Sequence, residues 1–194
     1  MFNEMELDAL REVGNIGAGH AATSLSQLLN RTIEISVPGV NIVEIPNVLK
    51  ALNRKPDEII TSVVTALNEV DKVVGFLFFI FPNNVDKKIA EIMMVEEEML
   101  DSALAEIGNI LASSFCNALA EFLNIVLMPT PPNLVKDYIL SVLDELLVQI
   151  ATKSNYIIIF ETQLKDENNM VTLDLILVPS ETLINYIRKA ISMV

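Results

Sequence analysis

The sequence predicts an α/β fold of the α+β type. An internally duplicated, pseudo-twofold domain is expected, with an antiparallel sheet of about six strands and two long, exposed helices. Three observations predict it. Apolar residues make up 52% of the 194 positions, enough for a substantial core in one good-sized domain or two fused halves. The pattern Asp8-x-x-x-Glu12-x-x-Asn15 returns as Ser102-x-x-x-Glu106-x-x-Asn109, 94 residues on. The succession helix, strand, short helix, hairpin, helix also runs twice, over 1–95 and again over 96–194. Each half holds too few strands for a stable sheet of its own, so the two repeats are expected to fuse.

Asn3, with Glu6 three residues later, is a variant of the capping box, so the first helix should start there. It should run to about Leu29 and end at Asn30-Arg31. Leu7, Leu10, Gly14, Gly17, Ala21, Leu25 and Leu28 gather on its buried stripe. Gly14 and Gly17 each cost about 1 kcal/mol relative to alanine, which predicts close approach of another backbone. Thr32–Val37 alternates as a strand, Pro38-Gly39 interrupts it, and Val40–Ile45 continues extended. Pro46 opens a short helix through Leu52, and Asn53–Asp57 is a loop. Ile59–Leu67 and Val73–Phe81 read as a hairpin around 68–72, the second run apolar on both faces and therefore central. Pro82-Asn83-Asn84 caps a helix from about Val85 to Met94, with Met93 and Met94 expected in the core.

The second half replays this order. Glu96-Glu97-Glu98 puts negative charge at a helix N-terminus, where the helix dipole favours it. That helix should run to about Leu123, burying Leu104, Gly108, Leu111, Phe115, Leu119 and Phe122. Val126–Met128 is a short strand ending in Pro129-Thr130-Pro131-Pro132, the counterpart of Pro38-Gly39. Tyr138–Ile150 is an amphipathic helix. Tyr156–Leu164 and Met170–Val178 form the second hairpin, and Pro179-Ser180-Glu181 starts the last helix.

On a helix of 3.6 residues per turn, Asp8, Glu12 and Asn15 fall on one stripe, at 0, about 40 and about −20 degrees. Gly19 and Ala22 lie on or beside it and keep it low. A flat, small-residue face with a few polar groups suits a docking macromolecule better than an enclosed small ligand. A carboxylate beside a neutral amide is a poor acid–base pair, because Asn does not titrate. An amide is suited to holding a water, since its carbonyl accepts a hydrogen bond while its NH2 donates one. Hydrolysis of an already activated bond needs such positioning, and phosphoryl transfer is the best-known setting. An ordinary solvated helix face fits the same residues. No Walker-type loop, Gly-x-Ser-x-Gly, His-Glu-x-x-His or Cys-x-x-Cys is present, which removes the common nucleotide, hydrolase and zinc readings.

The segments Leu10–Ala22 and Leu104–Ala120 resemble the signature of the CheC/CheX/FliY phosphatases of bacterial chemotaxis. Two motifs and no appended domain are most similar to the CheC branch. The resemblance implies a protein aspartyl-phosphate phosphatase acting on a CheY-type response regulator. Asn15 and Asn109 would orient the attacking water, and Glu12 and Glu106 would pair with the lysine of the regulator's site. Asp8 and Ser102 would support docking, with Gly19 and Ser113 on the same face. No metal is implied on this chain, the Mg2+ being the regulator's. His20 stands where a small amide is expected, and Ser113 where a glycine is, which bears on the relative activity of the two sites. An alternative is a non-catalytic binding module that sequesters CheD or phosphorylated CheY. The helix Tyr138–Ile150, with Asp144 and Gln149, is the candidate surface for CheD.

The formal charge of −13 argues against nucleic acid, whose binders need a cationic face. The longest apolar run, Val73–Phe81, is far short of the roughly 20 residues of a membrane span. Met1–Glu6 carries two acids and no basic cluster, unlike a signal peptide. With the single Cys116, these features predict a cytoplasmic chain without membrane insertion, and Cys116 reads as a packing residue.

Overall fold

A computed structural model of the chain describes residues 3–81, 86–150, 156–168 and 170–192. The first helix, α1 (Glu4–Leu29), begins where the capping box puts it. Asn3 Oδ1 accepts the Glu6 N–H at 2.9 Å, and Glu6 Oε2 accepts the Asn3 N–H at 2.6 Å. Asn30 ends it in the left-handed region at φ 50°, and its N–H bonds Ser26 O. Strand β1 (Glu34–Glu44) follows, then a 3-10 turn at Ile45–Asn47 and the short α2 (Val48–Ala51). β2 (Ile59–Glu69) and β3 (Lys72–Phe81) form the first hairpin, and α3 (Asp86–Met93) closes the half. The proposed cap Pro82-Asn83-Asn84 lies outside the described residues.

The second half opens with a 3-10 turn at Glu97–Met99 that feeds α4 (Leu100–Leu123). Asn124 ends α4 at φ 52°, the position of Asn30 moved on by 94. Then come β4 (Met128–Pro129), β5 (Asn133–Tyr138), α5 (Ile139–Ile150), the hairpin β6 (Tyr156–Lys165) and β7 (Met170–Pro179), and α6 (Glu181–Ile191). The Ser180 side chain caps α6 by accepting the Leu183 N–H.

All seven strands join one antiparallel sheet in the order β1-β6-β7-β3-β2-β4, with β5 also on β2. When β1 is matched with β4 and β5, β2 with β6, and β3 with β7, the order reads the same from either edge. That palindrome is the pseudo-twofold. It also exchanges strands, because β1 pairs with β6 of the other half and β4 and β5 pair with β2. β3 is central, as its two apolar faces require: Leu77, Phe79 and Phe81 point into one core and Phe76, Phe78 and Ile80 into the other. The larger core lies under α1, α3, α4 and α6, and the smaller under α2 and α5.

Several expectations need correction. The sheet has seven strands because the Pro-rich stretch does not end pairing. It splits the strand into β4 and the unforeseen β5, so Tyr138 ends β5 and the helix starts at Ile139. Leu28 is exposed near the end of α1, and Phe122 is only half-buried. Met94 is exposed, since it follows α3 with φ 56° and turns outward, while Met93 is buried. Gly17 does meet a backbone, a Cβ there falling 3.0 Å from Phe115 Cα. Gly14 instead faces the side chains of Phe160 and Val37. By length and composition the 97–123 segment could cross a membrane, but it is mostly buried within the fold as its core helix.

Candidate functional site

The two stripes form on α1 and α4 because each helix is fixed on its opposite side. On α1 the buried residues Leu10, Val13, Gly14, Gly17, Ala21 and Leu25 seat the helix on β1, β6 and α4. Asp8, Glu12 and Asn15 are left exposed. On α4, Leu104, Ile107, Gly108, Leu111 and Phe115 are buried, and Ser102, Glu106 and Asn109 are exposed. Gly108 lies so close to β2 that a Cβ there would stand 2.4 Å from the Val63 side chain. The helix is thus pressed onto the sheet at the residue next to Asn109. The six predicted site residues are brought together as two triplets, one per helix, and the helices pack directly at Gly17 and Phe115.

The remaining predicted positions differ from each other. Gly19 is exposed, with nothing within 4 Å of where a Cβ would stand, so it leaves open space beside the first triplet. Ser113, its counterpart, is half-buried. His20 is exposed, off the stripe. Cys116 is buried, and burial pushes its thiol up to about 11, so it stays protonated and unreactive near neutral pH.

Three neighbours of the triplets did not follow from the motif alone. Arg11 Nη1 donates to Asp8 Oδ1 at 2.7 Å, an exposed pair three residues apart on α1. The spacing was readable in the sequence. Lys136 Nζ on β5 reaches Asp101 Oδ1 at 2.6 Å, beside Ser102. That pair depends on β5, which was not foreseen. The third is a backbone group: the Val37 N–H on β1 donates to Asn15 Oδ1 at 3.2 Å. This bond decides which end of the amide faces the strand, since only the oxygen accepts. Among the described residues no group of three or more His, Cys, Asp or Glu side chains is placed to hold a metal ion.

Chemically, each triplet presents an exposed carboxylate and an exposed, non-titrating amide on a rigid helix. That set can form an ion pair with a cation on a docking partner and can order a water against an electrophile the partner supplies.

Two stretches of the chain, and its fold, are similar to known proteins. The model of the CheC-like family matches residues 5–42 and 99–135, the stretches that run from each stripe helix into the strand after it. A 37-residue segment is 60% identical to the CheY-P phosphatase CheC of Bacillus subtilis (strain 168), covering 19% of this chain and 18% of that protein. A 42-residue segment is 49% identical to the flagellar motor switch phosphatase FliY of the same organism, covering 22% and 11%. The matches therefore span less than a fifth of those relatives' lengths. The whole fold is similar to the crystal structure of Thermotoga maritima FliY, with a TM-score of 0.72 at 23% identity over 100% of this chain and 98% of that one. It is also similar to FliM in the FliM–SpeE complex of H. pylori, with a TM-score of 0.71 at 10% identity and full coverage of both chains. At those identities the structural likeness speaks to the fold. The two motif-bearing segments match the CheC-like family, and the fold that carries them is similar to that of FliY and FliM.

Proposed function

We propose that this chain is a phosphatase that hydrolyses the aspartyl phosphate of a CheY-type response regulator. The observation that carries the reading is the repeated triplet, exposed on two helices within the two segments that match the CheC-like family. Glu12 and Glu106 pair with a lysine of the regulator's phosphorylation site and set the dock. Asn15 and Asn109 then hold a water in line with the phosphorus. The water oxygen forms the new P–O bond, the bond to the aspartate oxygen breaks, and inorganic phosphate leaves with the water's protons shared between it and solvent. The aspartate leaves as a carboxylate, a good leaving group, so no strong base is needed and a neutral amide suffices. The Mg2+ that balances the charge belongs to the regulator. Asp8, Ser102, Gly19 and Ser113 shape the docking face.

A second reading is a binding module without hydrolysis, holding phosphorylated regulator or CheD. The likeness to FliM, one component of a solved FliG–FliM complex, favours it at the level of fold. The exposed Asp144 on α5 remains its candidate contact for CheD, while the Gln149 side chain lies outside the described residues.

The test follows phosphate loss from a phosphorylated receiver domain with wild type, Asn15→Ala, Asn109→Ala and the double variant. Each single variant should keep part of the acceleration, and the double variant should lose at least a hundred-fold, about 2.7 kcal/mol of transition-state stabilisation. Full activity in the double variant would sink the mechanism. Binding without acceleration in wild type would support the module.

A further inference from the structure

The bond between the Val37 N–H and Asn15 Oδ1 has a cause in the sheet. Between the pairs Ser36–Gln163 and Gly39–Glu161, β1 carries two residues, Val37 and Pro38, opposite the single Thr162 of β6. Such a bulge takes an amide out of the ladder, and here the amide of Val37 goes to Asn15 at 3.2 Å.

The second half cannot make the equivalent bond. Gly14 lies against Phe160 and Gly108 against Val63, which places β6 and β2 in corresponding positions, Glu161 with Val64. Gly39 pairs with Glu161, and Asn133 pairs with Val64. Asn133 therefore stands for Gly39, Pro132 for Pro38, and Pro131 for Val37. Proline has no N–H. In the stretch 129–132 the N–H of Thr130 is the single amide hydrogen, and it donates to Ala66 O at 2.9 Å. Among the described residues the Asn109 side chain has no hydrogen bond.

We propose that the Val37 amide is a positioning group for Asn15, and that Pro131 withholds the same support from Asn109. The chain then presents one amide set in advance and one that is ordered only on docking. This rests on the phosphatase reading for its kinetic consequence, though not for the hydrogen bond itself. The Val37 N–H occupies one lone pair of Oδ1 and leaves the other lone pair and both amide hydrogens for water and partner. An amide whose rotamer is already fixed requires less ordering in the transition state, which raises kcat and leaves KM alone.

The experiment has two arms, both on the whole 194-residue chain. In the first, amide hydrogen exchange at Val37 is measured by NMR in wild type, Asn15→Asp and Asn15→Ala. Protection should persist with the aspartate, which still accepts, and fall roughly two- to ten-fold with alanine, the range for one modest hydrogen bond. In the second, Val37→Pro is placed in an Asn109→Ala background, so that site 1 alone is read. Its kcat should drop roughly two- to ten-fold at unchanged KM. Because Val37→Pro also alters a buried position, Pro131→Val in an Asn15→Ala background serves as the converse, offering Asn109 a donor and raising kcat. Equal Val37 exchange in all three proteins, or a site-1 kcat that holds or rises on loss of the donor while Pro131→Val changes nothing, would overturn the proposal. If wild type hydrolyses nothing, the phosphatase reading fails and the exchange arm alone decides whether Val37 positions Asn15.

Discussion

At the scale of single residues, Gly108 and Gly19 on the stripe helices do different work, and the structure separates them. A Cβ on Gly108 would stand 2.4 Å from one Val63 side-chain carbon and under 3 Å from two more, all on a fully buried β-branched residue of β2. Gly108→Ala should therefore destabilise the fold by about 1–3 kcal/mol, the usual range for overpacking. Gly19 has nothing within 4 Å, and removing a helical glycine there should stabilise by about 0.5–1 kcal/mol. Urea unfolding of the two variants checks both signs. Gly19→Ala also tests the docking face: with the phosphatase reading, its melting temperature should rise while its KM for phosphorylated receiver rises too. Stability without any change in KM would remove Gly19 from the face. The motif alone could not rank these glycines, since what Gly108 meets belongs to a strand 45 residues away in sequence.

At the scale of elements, what the sequence disclosed is what local chemistry controls. The Asn3–Glu6 capping box, the left-handed stops at Asn30 and Asn124, and the two-sided apolar run of β3 depend on neighbours within a few positions or on simple periodicity. β5 was hidden because three prolines precede it and its ladder lies on β2, about 70 residues upstream. The Asn15–Val37 bond was hidden for the same kind of reason, since a bulge is a property of two strands at once. The β6–β7 pair offers a test of such a cross-strand effect. Asp174 lies directly opposite Glu161, and Arg54, already bonded to Glu58, reaches it at 3.8 Å. Burial raises the Asp174 pKa above its ordinary 3.8, Arg54 works against the shift, and Glu161 adds to it. The folded chain thus holds this proton to higher pH than the unfolded chain. Stability from this group falls as pH rises from the ordinary value through the raised one, and stays flat above. Asp174→Asn should gain on wild type across that window. Urea midpoints of both proteins between pH 3 and 7 check it, and a gap independent of pH would refute the linkage.

At the scale of the whole molecule, the palindromic sheet means that the two halves are not neighbours but exchange their first strands. β1 finds its ladder on β6, and β4 and β5 find theirs on β2, while β3 and β7 meet at the centre. α1 rests on β1, β6 and α4, so the first stripe helix is supported largely by the second half. Neither repeat, cut at 95 and 96, would keep its stripe helix seated: fragment 1–95 would hold β2 and β3 but leave β1 without a partner and one face of α1 bare. A two-stranded hairpin with loose helices buries too little to fold alone. The fragment 1–95 should therefore yield no folded monomer, judged by sedimentation with circular dichroism. Mixing it with 96–194 should restore a cooperative melt and slow Val37 amide exchange together, because both need β6. A folded, monomeric 1–95 with a cooperative transition would mean that the exchanged strands are not what holds α1 and its Asp8, Glu12 and Asn15 in place.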